Sequence, residues 1–249
     1  MEHSHAKGAG GFDTTHWSLV MTAQSDEESQ TSARKALETL CCAYWYPLYA
    51  FVRHRGHSPA DAQDLTQSFL AKFIETGGFA SADRERGRFR TFLLSAMKHF
   101  LINEWHRARA AKRGSGMTLL EWDALEPEAK YALEPIKSED PDLNYDRDWA
   151  VELMNRAKNK LHDEAEANGK LKLFEALKGS LTGEEPPRHE IATRMAMSEG
   201  SIKAAVHRLR QRYRSLLRCE IAETVATRGE IDEEMRHLVS VLRSNQFFS

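Results

Sequence analysis

Cysteine is scarce. Three cysteines in 249 residues, two of them the adjacent Cys41 and Cys42, cannot build a disulfide framework. That scarcity points to a reducing compartment, the cytoplasm. Long apolar runs are missing too, and none approaches the roughly 18 residues needed to cross a bilayer, so no membrane partner is expected. The opening Met-Glu-His-Ser-His lacks the basic-then-apolar pattern of a signal peptide. Alternating apolar and polar stretches and runs of β-branched residues are sparse, which argues against sheet. Catalytic signatures are absent as well. There is no nucleotide-binding glycine loop, no Gly-x-Ser-x-Gly elbow, no His-Glu-x-x-His and no paired Cys-x-x-Cys. His3 and His5 fall in a glycine-rich leader and His162-Asp163 stands alone, so no metal or cofactor is expected and the chain does not read as an enzyme.

What is present is ordinary in amount and uneven in placement. Hydrophobic residues make up 41% and charged residues 29%, enough apolar content for a folded core. The net charge of −2 argues against nucleic acid only as an average. From Arg84 to Arg113 nine Lys/Arg face two acids, and from Ser201 to Arg218 six face none. Between them, from Thr118 to Asp148, ten acids face three bases. Two basic blocks separated by an acidic one suggest two nucleic-acid surfaces joined by a segment that avoids DNA.

The periodicity is helical almost throughout and predicts an all-α protein of two small helical domains. Residues 1–31 form an N-terminal extension. A first domain, 32–113, opens with a helix from about Ser32 that is kinked or restarted at Pro47 and ends at Gly56. Ser58, Pro59 and Asp61 then make a capping box for a helix ending at Gly77-Gly78, with Ala62, Leu65, Phe69 and Phe73 facing the core. A long helix follows from about Arg88 to Lys112, its buried stripe Phe89, Leu93, Ala96 and Phe100. Residues 114–148, with Pro127, Pro135 and Pro141, read as an acidic linker. The second domain, 149–226, holds four helices, and 227–249 add an amphipathic helix through Ile231, Met235, Leu238, Val239 and Leu242.

Three surfaces carry candidate function. In the second domain, Ile191, Ala192 and Met195 line a short helix, Ser198 caps the next, and Ile202, Val206 and Leu209 bury one side of it. This helix-turn-helix pattern offers Ser198, Glu199, Ser201, Lys203, His207, Arg208 and Arg210 to duplex DNA. A hairpin with a solvated basic face is the plainer explanation, but such faces ordinarily alternate in sign. In the first domain, Arg84, Arg86, Arg88, Arg90, Lys98, Trp105, Arg109, Lys112 and Arg113 combine cations with an indole, as a track for unpaired bases requires. Asp61, Asp64, Gln67, Ser68 and Lys72 share the outer face of the 59–75 helix. Mixed in sign, that face suits a protein partner better than phosphate.

With these residues in view the chain resembles the bacterial RNA polymerase sigma factors of the extracytoplasmic-function type. Asp61-Ala-Gln-Asp-Leu-Thr-Gln-Ser-Phe-Leu70 is similar to the family's region 2 signature. Arg88-Phe-Arg-Thr-Phe-Leu through Trp105-His-Arg107 is similar to its promoter-melting helix, and Glu190-Ile-Ala through Arg210 to region 4. The resemblance implies that Asp61, Asp64, Gln67 and Ser68 bind core RNA polymerase. It also implies that the 77–113 segment holds the non-template strand of the −10 element and that the 198–210 set contacts the −35 element. Gln63 and Ser68 stand where the family commonly has Glu. Thr66 and Ser68 therefore suggest phosphorylation restoring charge, with Thr66 the candidate site and a Ser/Thr kinase or an anti-sigma factor as further partners. Two other readings remain: a stand-alone helix-turn-helix regulator, and a Mg²⁺-dependent nucleic-acid-processing enzyme.

Overall fold

The structure, a computed structural model, describes residues 27–76, 88–110, 128, 131, 140–225 and 228–244, with the side chains of residues 27–30, 108–110 and 244 left aside. All of it is helix, turn or short connection; no strand occurs among the described residues. The helices are α1 (Glu27–His54), α2 (Pro59–Glu75), α3 (Phe89–Ala110), α4 (Pro141–Ala167), α5 (Leu171–Leu177, followed by a 3-10 turn), α6 (Arg188–Met195), α7 (Glu199–Ala222) and α8 (Arg228–Ser244). The all-α expectation holds.

Local chemistry explains three of the helix starts. Ser58 Oγ accepts the Asp61 N–H at 3.2 Å and donates to Asp61 Oδ2 at 2.6 Å, and Pro59 fills the first turn, where its missing N–H costs nothing. Asp140 caps α4 by accepting the Asp142 N–H at 2.9 Å, again with proline, Pro141, in the first turn. Ser198 caps α7 through the Ser201 N–H at 3.1 Å. Asn168-Gly169 ends α4, with Gly169 left-handed at φ 65°.

Helix α1 runs unbroken through Pro47, so the expected restart there does not occur. The reason is packing. Every residue from Tyr44 to Val52, the proline included, is buried, because α2 covers one side of α1 and α4 another. That burial outweighs one lost backbone hydrogen bond. Trp45 and Tyr49 stack nearly parallel on this segment, 5.4 Å between ring centres.

The larger correction concerns 114–148. Its last residues are not a linker but the first two turns of α4, in which Asn144, Tyr145 and Asp148 are buried. Pro141 marks the helix start rather than a break. Tyr145, Trp149, Leu153, Ala157 and Leu161, each four residues on, form one buried stripe against α1 and α7. A single cluster of buried residues therefore extends from Ala36 through α4 and α7 to Ile231 and Leu238 of α8. A second, smaller cluster of Leu177, Ile191, Ala192, Ile202, Ala205 and Val206 lies beneath the α6–α7 pair.

Acids of the 118–148 block meet cations of α1 and α3. Glu128 receives Arg53 at 2.9 Å and the Tyr49 hydroxyl at 2.5 Å, and the Arg53 contact holds its carboxyl below the usual range. Asp142 pairs with Lys98 and Asp146 with Arg90. Three acids of the block, Glu128, Asp142 and Asp146, are thus paired with cations of the protein itself.

Candidate polymerase and nucleic-acid interfaces

Helix α3 crosses α2 so that its C-terminal half stands beside the outer face of α2. The two enclose a groove of about 780 Å³. One wall carries Asp61, Asp64 and Lys72, the other Ile102 and Trp105. Both apolar side chains are largely in solvent, at 51% and 55% exposure. A tryptophan and an isoleucine left half open beside two carboxylates make a surface that gains by burial against a partner, the composition typical of an anchoring patch. Lys72 sits 6.0 Å above the Phe100 ring, which ties the groove floor to the core.

The expected docking residues divide. Asp61 and Asp64 are exposed and Ser68 half-buried, all three in the groove lining. Gln67 is not on that face. At 8% exposure it turns inward, so it drops out of the docking set. Thr66 is also misplaced: it has no exposed surface, and its hydroxyl donates to the Ala62 carbonyl at 2.7 Å. A kinase could not reach it without unfolding α2, and the phosphorylation expectation for Thr66 is withdrawn. The polar run from Asp61 to Ser68 hides this, because two of its polar members occupy core positions.

The strand-binding set divides too. Trp105 stands in the groove, its ring edge-on to His106 at 5.0 Å. Arg88, Arg90 and Lys98 are engaged within the protein. Arg90 is 7% exposed, its Nε donating to Glu234 at 3.0 Å and its other arm to Asp146, with the guanidinium 5.0 Å above the Trp149 ring. Arg88 reaches Glu233 at 2.9 Å and also Glu234. Arg90 is thus a buried structural cation rather than a phosphate contact. Arg84, Arg86, Lys112 and Arg113 lie outside the described residues, as does the Arg109 side chain. Residues outside both expected sets join the groove: Arg55, His57, Ile102 and Arg107. Ile102 and Trp105, three apart in a polar helical stretch, were the available signal.

In the second basic region α6 and α7 meet through Ala196, Met197 and Ser198. Ala196 is left-handed at φ 51°, and the Met197 N–H returns to the Ala192 carbonyl at 2.9 Å, which turns the chain sharply. Ile191 and Ala192 pack on Ile202 and Val206 beneath. Glu199, Ser201, Lys203, His207, Arg208 and Arg210 all emerge into solvent, as does the cap Ser198. Glu199 lies 2.9 Å from His189, Ser201 shares a hydroxyl contact with Ser198, and Arg210 donates to the Ser180 carbonyl at 3.0 Å. No carboxylate forms an ion pair with Lys203 or Arg208 among the described residues. His162, Asp163 and Glu166 come within 4.8 Å of one another on α4, but on an open face.

Fold and groove define an all-helical module with a half-apolar, half-acidic groove between α2 and α3. The comparison with known families is more specific: residues 44–111 match the family model described as Sigma-70 region 2. The match begins in the middle of α1 and ends just beyond α3, so it contains the whole α2–α3 groove and leaves α4 to α8 outside. That family consists of transcription initiation factors, which are not enzymes, and the match supports a sigma-factor role in promoter recognition and transcription initiation. No curated protein and no solved structure matches the chain. No helix among the described residues is long and apolar enough to cross a membrane.

Proposed function

We propose that this chain is a sigma factor of the extracytoplasmic-function type. In this reading it binds core RNA polymerase through the Asp61–Asp64 wall of the α2–α3 groove, and the neighbouring Trp105 edge stacks on the opened −10 strand. The α6–α7 helix-turn-helix then lies on the −35 element, with Lys203, His207, Arg208 and Arg210 toward the duplex. The observation that carries this is the groove itself: acidic and aromatic surface side by side, inside the span that matches region 2. Two adjoining chemistries let one small module hold the enzyme and an unstacked base together. Cytoplasmic action follows from the partner.

Asp64 is exposed and caps nothing, so Asp64→Arg leaves the fold intact and places a cation in the groove wall. We expect it to abolish co-purification with core polymerase while the circular dichroism melt stays that of wild type. Retained association would move the docking face elsewhere. Run-off transcription from genomic fragments, with purified chain added to core enzyme, tests the function as a whole; start sites unchanged by the chain would reject it. The exposed α7 face leaves a stand-alone helix-turn-helix regulator as the second reading. Such a regulator would occupy its operator tightly without polymerase, and wild-type occupancy by Asp64→Arg would favour it.

A further inference from the structure

The basic face of α7 does not stop at Arg210. Lys203, His207, Arg210 and Arg214 follow one another at spacings of four, three and four, which on a helix is one straight line. At 1.5 Å per residue the line is about 16 Å long. At its end α8 lies alongside, fixed by Ile231 and Leu238 in the core and by the Arg218–Asp232 pair at 2.5 Å. The outward face of α8 then presents Arg236 and Arg243, seven residues and about 10 Å apart. With Arg214 they surround a concavity of about 800 Å³.

We propose that this α7–α8 junction is a second contact to the phosphate backbone of duplex DNA, extending the footprint past the helix-turn-helix. Neighbouring arginines on the same surface have carboxylate partners: Arg212 has Glu164 and Arg218 has Asp232. Among the described residues no carboxylate forms an ion pair with Arg214, Arg236 or Arg243. Arg236 Nε only donates to the Asp232 carbonyl at 3.3 Å, which orients the guanidinium and leaves its charge unopposed. Asp232, the one acid in the concavity, is neutralised by Arg218. Three unopposed guanidiniums around one hollow repel each other, and an anion relieves that repulsion. Val239, 43% exposed between Arg236 and Arg243, supplies an apolar patch within the hollow. Continuity with the α7 line selects a duplex backbone over a small free phosphate. A point anion would fill the hollow but would leave Lys203 and His207 unused.

The inference rests on the reading of α7 as a DNA helix, and the test separates the two. Full-length wild type, Lys203→Gln and the double variant Arg236→Gln/Arg243→Gln are titrated onto a labelled duplex of about 30 base pairs, from low to moderate salt, by fluorescence anisotropy. Each lost phosphate contact lowers the slope of log affinity against log salt by about 0.9, so the double variant should lose close to 2 and the single variant close to 1. Between 50 and 200 mM salt, the double variant's affinity should then fall about tenfold less than that of wild type. Both substituted arginines are exposed, so the thermal melt should not move. If Lys203→Gln flattens the slope and the double variant does not, DNA ends on α7 and this inference fails alone. If neither variant changes the slope, or wild type does not bind at the lowest salt, the DNA reading of α7 fails and takes the inference with it. If inorganic phosphate at the ionic strength of the chloride buffer displaces DNA from wild type but not from the double variant, the hollow is a small-anion site instead.

Discussion

Arg90 illustrates how one side chain can look functional in a sequence and turn out to be structural. Its charge is opposed by Glu234 and Asp146 in a site almost without solvent, and its guanidinium lies over Trp149. Removing one member of such a group leaves the others charged and buried. We therefore expect Arg90→Ala to cost about 3–5 kcal/mol, and the double change Arg90→Met/Glu234→Met to cost distinctly less. Urea denaturation of the two variants measures this, and equal losses would mean the cluster is not a coupled unit. His237 belongs to the same cluster, with Nε2 3.3 Å from Asp146. Burial, then the nearby Arg90, lowers its pKa below the ordinary 6.5, outweighing Asp146 and Glu234. A base with a depressed folded pKa binds fewer protons folded than unfolded. Its contribution is therefore intact above pH 6.5 and is lost as pH falls through the folded value. Wild type should lose stability between pH 7.5 and 5.5, and His237→Gln should lose less over that window. Parallel curves would place the sensitivity elsewhere.

At the scale of elements, what could be read in advance was what the chain settles locally. Ser58 and Ser198 were recognisable as caps because a cap needs only its own next three residues, and the structure has both. The start of α4 was missed for the complementary reason. Pro141 among acids reads as a break, and only the four-residue repeat from Tyr145 to Leu161 shows that a partner must cover it. The ion pairs of Arg90 were out of reach because its acids stand 56 and 144 positions away. The α2–α3 groove was equally hidden, since its two walls were identifiable but the crossing that joins them is not a property of either helix. The α6–α7 turn yields a prediction of its own. Ala196 holds a left-handed conformation that costs a residue with a Cβ about 1–2 kcal/mol, against roughly 0.5–1 kcal/mol of extra entropy for glycine in the unfolded chain. Ala196→Gly should thus be neutral to slightly stabilising, whereas Ala196→Val should destabilise clearly. Thermal melts of both decide it, and a well-tolerated valine would show that the turn is not as sharp as described.

For the whole molecule, the decisive feature is that α4 and α8 close one core together with α1, α3 and α7. Removing residues 228–249 would uncover the sites of Ile231 and Leu238, worth about 1.5–3 kcal/mol each, and leave Arg88 and Arg90 without Glu233 and Glu234. The truncated chain should melt at a lower temperature. An unchanged melt would mean that α8 merely decorates the surface. Arg90 and Glu234 also lie 144 residues apart in the sequence. On a ribosome the N-terminal helices emerge long before their acidic counterparts exist. During that interval the newborn chain exposes apolar and cationic surface that the finished protein conceals. Synthesis, rather than any later event, is when this polypeptide is most open to chaperones and to stray nucleic acid.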